Sequence, residues 1–246
     1  MVGRRMNIRL VIGYDGGAYS GWQYQPRQRT IQGELQKAIE RLTSRKVTLT
    51  AAGRTDTGVH AAGQVANFNI VHDLPVQKYR EGLNFYLPDD ILVYSADEAP
   101  SEFNARYDAI WREYHYHIGL EPSALNRHRC WTVGGKLDET ILTWAADGIL
   151  GRNDFSAFCV ARSLKKSNSC VIYKSRWRRT ENGFRFEIAA DRYLHSMIRY
   201  LVGMMVGLAQ GEFSRRQFRA AVLGNRGQAA KKPAPAQGLC LAKVMY

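Results

Sequence analysis

The feature that most constrains the fold is the order of strand-like and helix-like patterns along the chain. Residues 7–15 alternate between apolar and polar side chains, as in a strand with one buried face. The first half holds six such patterns: strands over 7–15, 47–51, 63–70 and 91–95, and helices over 30–45 and 76–87. This β-α-β-β-α-β order is that of the ferredoxin-like unit, an antiparallel sheet with helices on one face.

The second half repeats the theme. Its patterns predict strands over 111–118, 171–178, 184–190 and 238–244, and helices over 141–150, 194–209 and 214–224. A chain of 246 residues is long enough for two small domains with a sizeable core. We therefore expect an α+β protein made of two similar ferredoxin-like, or RRM-like, halves: residues 1–105 and residues 106–246.

The charge of the chain is positive and unevenly distributed. Lys and Arg outnumber Asp and Glu by 35 to 22, a net charge of +13. Residues 1–105 hold 12 cationic and 11 acidic side chains, whereas residues 106–246 hold 23 and 11. This indicates a polyanionic partner, either nucleic acid or an anionic membrane surface, although solubility alone also makes some proteins basic. The interleaved aromatic and cationic residues of 173–179 favour single-stranded RNA.

Two absences narrow the setting in which the chain acts. No stretch reaches the run of about 20 apolar residues that spans a bilayer. Residues 1–9 lack the apolar core of a signal peptide. We therefore expect a cytoplasmic protein that does not enter a membrane.

The most unusual segment lies between two predicted strands, at residues 53–65. In it Gly53 and Gly58 flank Asp56, and Arg54 precedes the acid by two positions. Glycine allows close approach to the backbone, and loops on a rigid sheet are where catalytic groups tend to lie. The spacing alone leaves two interpretations open: a catalytic Asp56, or a turn residue whose carboxylate caps the amide of Gly58.

Residues 53–61 resemble the signature G-R-T-D-A-G-V-H-A of the tRNA pseudouridine synthase A family, with Thr57 where the family usually has Ala. Shorter matches follow in the family's order at residues 14–23, 30–35, 82–91, 103–106, 112–116, 154–158, 197–203 and 236–239. Each short match is weak by itself. Many matches in the right order, through nearly the whole chain, are specific.

The resemblance implies a set of site residues. Asp56 falls on the catalytic aspartate of the family, and Tyr114 on the tyrosine that stacks against the target base. Arg199 falls on a basic residue that pairs with the aspartate, and Arg54 on an arginine that holds or flips the nucleotide.

The resemblance also implies a fold, a substrate and an assembly. The antiparallel sheets of the two halves would join into one continuous sheet, with helices on one face and the active-site cleft between the halves. The substrate would be uridine in the anticodon stem-loop of tRNA, at tRNA positions 38–40, isomerised to pseudouridine with Asp56 as nucleophile or base. The enzyme would be a homodimer that uses no cofactor and no metal.

The residues themselves leave narrower alternatives for three of these positions. Tyr114 could be an ordinary strand tyrosine that faces a core beside Tyr116. Arg54 could bind an RNA phosphate instead of acting at the base. Arg199 lies in an otherwise apolar helix, where a buried arginine almost requires an acidic partner.

Two other functions fit parts of the sequence. A non-catalytic RNA-binding module of RRM-like halves would keep the basic second half, but it would gain nothing from a carboxylate at position 56, which repels phosphate. A nuclease would need acidic side chains clustered around metal ions, and the sequence shows no such cluster. His115 and His117 share a strand face, yet no Cys, Asp or Glu at matching spacing predicts a metal site.

Overall fold

The chain forms two compact units in a computed structural model that describes residues 4–164, 166–228 and 232–246. One unit holds the described residues up to Arg112 together with Cys240–Tyr246, and the other holds Glu113–Leu239. Within the described ranges, five α-helices and ten strands, most of them paired antiparallel, confirm the α+β class. In that part of the chain, no helix combines the length and apolar character needed to cross a membrane.

The first unit has the predicted β-α-β-β-α-β order, and a strand from far along the chain joins it. The elements are β1 (Arg4–Tyr14), α1 (Ile31–Thr43), β2 (Thr50–Ala51), β3 (His60–His72), α2 (Gln77–Tyr86), β4 (Ile91–Ala99) and, except for its first residue, β10 (Leu239–Met245). By contacts the last strand thus groups with the first unit. The division into domains 1–105 and 106–246 stays a prediction.

The sheet of the first unit has the ferredoxin-like arrangement. β1 lies between β4 and β3 and pairs antiparallel with both, so that Leu10 is opposite Ala96 on one side and Ala66 on the other. The other edge of β3 pairs with β2 at Ala66 and, in parallel, with β10 at Ala61. The pairing of β3 with β10 therefore lies at the start of β3, next to the loop that contains Asp56.

The core of the first unit follows the predicted periodicities. Alternate residues of β1 form one fully buried row that includes Ile8, Leu10 and Ile12. α1 begins where expected, because the Thr30 hydroxyl accepts a hydrogen bond from the amide of Gly33 (3.3 Å) and satisfies an amide at the start of the helix. The sheet that carries the loops is thus anchored by a closely packed core.

The second unit holds the remaining elements. They are β5 (Trp111–Gly119), whose first two residues belong to the first unit, β6 (Trp131–Thr132), α3 (Glu139–Asp147), β7 (Gly151–Asp154), β8 (Ser169–Thr180), β9 (Gly183–Ala190), α4 (Met197–Ala209) and α5 (Arg215–Val222). Its sheet has the order β5-β9-β8-β7, with the short β6 parallel to β5. β8 and β9 pair antiparallel, as predicted for the strands on either side of the turn at 181–183.

Two helices of the second unit have bounds that differ from prediction: α3 covers Glu139–Asp147 instead of 141–150, and α4 begins late. α4 starts at Met197, three residues later than the sequence pattern indicates, because Ser196 has the left-handed backbone angle φ = 60° and cannot continue a helix backwards. α5 begins at the predicted cap, where the Ser214 hydroxyl accepts from the Gln217 amide and the Gln217 side chain accepts from the Ser214 amide.

Candidate active site

The Asp56 loop, residues 52–59, connects β2 to β3. Asp56 is half-buried, Arg54 before it is exposed, and Thr55 between them is buried. The Val59 amide donates to the Asp56 carbonyl oxygen (3.2 Å), which closes a turn across Thr57 and Gly58. Gly58 has φ = 77°, the positive value that the third position of such a turn favours. The turn fixes the backbone from which the Asp56 carboxylate projects.

A second loop, residues 15–22, supports the Asp56 loop from one side. The Trp22 amide donates to the Thr55 carbonyl oxygen (3.1 Å), and the Gly58 amide donates to the Tyr19 carbonyl oxygen (3.4 Å). Gly21 has φ = 83°, and a Cβ there would lie 2.7 Å from the Thr55 carbonyl oxygen. The glycine-rich stretch that the sequence predicts as a loop therefore lets two backbones approach one another at the candidate aspartate.

Buried hydroxyl and amide groups hold the base of the Asp56 loop. The Tyr14 hydroxyl shares a hydrogen bond with the Thr55 hydroxyl (2.8 Å), and the Gln64 side-chain amide donates to the Gly53 carbonyl oxygen (2.8 Å). Burial raises the pKa of Tyr14, so its hydroxyl keeps its proton over the physiological range. These neutral contacts persist across ordinary changes of pH.

His60 and Arg112 make further contacts to the two loops. The Gly16 amide donates to Nδ1 of His60 (3.1 Å), so this histidine is a structural hydrogen-bonding residue of the loops. Arg112 donates from Nε and Nη2 to the Ala52 carbonyl oxygen (3.1 and 2.9 Å). Sequence reasoning missed the role of Arg112, because nothing in its neighbours shows which carbonyl it will reach.

Tyr114 lies on β5 in the second unit and is buried, with 7% of its surface exposed. Its ring meets the Tyr193 ring edge-on, with 5.1 Å between the ring centres. Tyr116 lies two residues on, and its hydroxyl donates to the Pro235 carbonyl oxygen (2.8 Å). Burial raises the pKa of Tyr116, and the positive charge of Arg199 opposes that rise.

Arg199 lies in the first turn of α4 and is half-buried rather than fully buried. Its Nε donates to the Ala234 carbonyl oxygen (2.8 Å), and the Ala234 amide donates back to the Arg199 carbonyl oxygen (2.9 Å). The first of these bonds orients the guanidinium group, and the second ties the backbone of Ala234 to the start of α4. The acidic partner expected for Arg199 from its apolar surroundings stays a prediction.

The four predicted site residues fall into two groups. Arg54 and Asp56 share one loop of the first unit, and Tyr114 and Arg199 belong to the second unit. Tyr116 links the second pair, since it follows Tyr114 on the same side of β5 and is close enough to Arg199 for its pKa to respond to that charge. The pairing of Asp56 with Arg199 remains an expectation.

A second concentration of charge lies on the sheet of the second unit, around a carboxylate with only 3% of its side chain exposed. We call it the Glu187 cluster: Glu187, Glu113, Lys174, Arg176, Arg178 and Arg185. Glu187 is 2.7 Å from Arg176 and from Arg185, 2.9 Å from Lys174 and 3.3 Å from Arg178. Burial raises the pKa of Glu187, but hydrogen bonds from these cations outweigh it and lower the pKa to about 2.

The same cluster contains a possible set of metal ligands. Within the described residues, ligand atoms of Glu113, His115 and Glu187 lie within 4.8 Å of one another. The expectation that no acid matches the spacing of His115 was thus wrong, because Glu113 lies two residues earlier on the same strand face. Lys174 Nζ, however, contacts both Glu113 and Glu187, so a cationic group already occupies the position between the carboxylates.

One interpretation of the basic stretch 173–179 was wrong. Trp177 was expected among the rings that stack with RNA bases, but only 9% of its surface is exposed, and it packs against Phe186 with 4.9 Å between ring centres. Neighbouring strand residues face opposite sides, so Trp177 enters the core while Arg176 and Arg178 point away from it. Tyr173, by contrast, is exposed.

These features can be compared with known proteins. The family model described as tRNA pseudouridine synthase matches residues 10–108 and 145–246. The chain belongs to the tRNA pseudouridine synthase family. Asp56, Arg54 and Arg199 lie inside the two matched ranges. Tyr114 lies in the unmatched stretch between the two ranges.

Full-length relatives agree with the family match. The chain is 39% identical over 242 residues to a protein of Acetivibrio thermocellus named tRNA pseudouridine synthase A, with 98% of this chain and 99% of that protein covered. Proteins of the same name from Chlorobium luteolum and Bacillus subtilis are 39% and 34% identical, and each comparison covers 98% of this chain and at least 95% of the relative. The similarity therefore spans both units.

Proposed function

We propose that the chain isomerises uridine to pseudouridine in the anticodon stem-loop of tRNA, at tRNA positions 38–40. The observation that carries the proposal is the Asp56 loop, whose backbone is held by its own turn and by a second loop. Catalysis requires a reacting group held in a narrow range of positions, and this support provides it. The relatives named tRNA pseudouridine synthase A point to the same substrate class.

The proposed reaction is an internal rearrangement. The C1′–N1 bond breaks, C1′ joins C5 of the same uracil, the hydrogen on C5 leaves as a proton, and N1 gains one. No oxidant, reductant or group donor enters this balance. Asp56 acts in its ionised form, either as a nucleophile or as the base that takes a proton.

The other three residues place the nucleotide. Moving the uracil out of its stack costs on the order of a few kcal/mol, and stacking on Tyr114 recovers about 1–3 kcal/mol. Arg199, aimed by its bond to Ala234, pairs with Asp56 through forked hydrogen bonds and orients the carboxylate. Arg54, which is exposed beside Asp56, holds a phosphate or the flipped nucleotide.

The deciding experiment uses an unmodified tRNA transcript labelled with tritium at C5 of uridine. Isomerisation releases the label to water, so released tritium measures the reaction directly. We expect release by the wild type and a loss of at least about 1,000-fold for Asp56→Asn, because the amide is neither a nucleophile nor a base at neutral pH.

The matched control is Asp73→Asn, an exposed acid that follows β3. It should retain wild-type release. Equal release by the wild type and Asp56→Asn would show that Asp56 is only a turn residue. Absence of release by the wild type, with tRNA still bound, would favour the non-catalytic RNA-binding module.

The position of modification is tested on variant transcripts. Replacing the uridines at tRNA positions 38–40 with cytidine should remove the release of tritium, whereas replacing uridines of the D arm should leave it unchanged. Release that persists after the first replacement would contradict the anticodon stem-loop and leave the isomerase assignment intact.

We also propose that the protein is a cytoplasmic homodimer that acts without a cofactor or metal. The family resemblance supports the dimer and the location. The reaction needs no oxidant, reductant or group donor, which supports the absence of a cofactor. Sedimentation at micromolar concentration should give twice the mass of the chain, and a monomer would contradict the dimer.

Treatment with a chelator should leave tritium release unchanged, and a loss restored by added metal would contradict metal independence.

A further inference from the structure

The Glu187 cluster carries more positive charge than its carboxylates need. Four cationic side chains face two acids, Glu113 and Glu187, so the cluster has a net charge of +2. One forked arginine can satisfy a buried carboxylate. Arg178 and Arg185 are also directly opposite each other on β8 and β9, an arrangement of like charges that costs stability. The surplus cations therefore require an explanation beyond the neutralisation of Glu187.

Exposure separates the two signs of charge. The side chains of Arg176 and Arg178 are 47% and 48% exposed, whereas that of Glu187 is 3% exposed. A ligand that approaches this face meets guanidinium groups, with the carboxylate hidden beneath them.

The cations are also spaced in a regular row. Lys174, Arg176 and Arg178 occupy every second position of β8, so that successive side chains are about 6.6 Å apart along one face. The spacing is comparable with that of successive phosphates in an RNA strand. Glu187 holds all three in place, and side chains already ordered lose less entropy when a ligand binds.

We propose that the Glu187 cluster, which shares no residue with the Asp56 loop, is a binding surface for the sugar–phosphate backbone of tRNA. This inference rests on the proposed function for the identity of its ligand. Arg176 and Arg178 contact phosphates, and Glu187 positions them from beneath. The contacts carry no base specificity, because phosphates are the same at every position of the RNA.

The experiment measures the affinity for an unmodified tRNA transcript at several salt concentrations. All proteins carry Asp56→Asn, so that no RNA is converted during the titration. Arg178→Ala should weaken binding about five-fold at 0.15 M salt and should reduce the slope of log affinity against log salt by about 0.9. Arg176→Ala should act in the same direction.

Two control variants separate charge from folding. Arg216→Ala removes an exposed arginine of α5 and should leave both affinity and slope unchanged. Arg178→Lys keeps the charge and should keep the slope. If Arg178→Ala and Arg176→Ala both match Arg216→Ala, the proposal is wrong.

Failure of this inference differs from failure of the proposed function. In a chain with Asp56 intact, Arg178→Ala should raise KM for tRNA and leave kcat within about two-fold, because the arginine acts on binding. If wild-type protein releases no tritium, the proposed function fails, yet the salt titration still tests the Glu187 cluster. If wild-type protein reacts and the Arg178 and Arg176 variants keep wild-type affinity and slope, the cluster proposal alone fails.

Discussion

The Asp56 loop and the Glu187 cluster organise side chains by different forces. Uncharged groups make most of the contacts described for the Asp56 loop: backbone amides donate to the carbonyl oxygens of Thr55 and Tyr19, and Gly21 admits a close approach, whereas Arg112 adds a charged donor at Ala52. Around Glu187 the contacts are ionic. Neutral short-range contacts depend on shape and resist changes of salt and pH, whereas charge contacts respond to both. The proposed reacting group and the proposed phosphate-binding surface can therefore be tuned independently.

The largest effect is expected from a change of shape around Asp56. Gly21→Ala forces a Cβ to within 2.7 Å of the Thr55 carbonyl oxygen at a backbone angle that alanine rarely adopts. We expect kcat to fall about 100-fold, because displacement of a reacting group by about 1 Å has an effect of that size, while affinity for tRNA stays within about three-fold. Tritium release and a binding titration measure the two quantities.

Gly134→Ala is the control for that change, since a Cβ at Gly134 would meet no atom within 4 Å. It should keep wild-type kcat. If Gly21→Ala lowers affinity as strongly as kcat, the loop also binds the RNA, and the separation between the two regions is incomplete.

A smaller effect is expected from loss of the negative charge of Glu187. Glu187→Gln should lower the free energy of unfolding at pH 7 by about 2 kcal/mol, because it leaves the surrounding cations without their shared anion. The pKa of Glu187 is lowered from its ordinary value of 4.5 to about 2, so the folded state favours the ionised form. That stabilisation is present above pH 4.5 and disappears as the pH falls towards 2.

Urea denaturation of the wild type and Glu187→Gln across this pH range checks the prediction. The difference between them should shrink as the pH falls. Glu98→Gln, which removes one partner of the surface pair with Arg4, should change stability by less than about 0.5 kcal/mol. A Glu187 effect that is constant with pH would point to packing instead of charge.

The smallest expected effect concerns Thr57, where the family usually has Ala. Thr57 is exposed in the turn that follows Asp56. Thr57→Ala should therefore leave kcat and KM for tRNA within about two-fold of the wild type. A ten-fold change in KM would mean that the Thr57 hydroxyl contacts the RNA, which would sharpen the description of this loop.

Local patterns predicted those parts of the molecule that depend on neighbouring residues. The alternation of Ile8, Leu10 and Ile12 predicted a strand with one buried face, and Thr30 predicted the start of a helix. Both depend on contacts within a few residues. The Asp56 segment was recognisable for a similar reason, since its glycines and acid are adjacent.

Features that depend on distant residues could not be predicted in this way. No residue near Arg112 shows that its guanidinium reaches the Ala52 carbonyl oxygen, and the alternation within β10 does not identify β3 as its partner. The left-handed backbone angle at Ser196 makes α4 begin at Met197, although the apolar pattern already starts at Leu194. In each case tertiary structure selects among conformations that the local sequence permits.

The pairing of β10 with β3 determines when, during synthesis, the sheet of the first unit can be completed. Cys240 and Leu241 lie beside His60 and Ala61, immediately after the Asp56 loop, and the Ala242 carbonyl oxygen packs against Gly63. A nascent chain that already contains Asp56 still lacks these neighbours until residues 240–246 have left the ribosome. The sheet edge beside the Asp56 loop is therefore completed only after the whole second unit, Glu113–Leu239, has been synthesised, so the two ends of the first unit have to meet across an intervening unit.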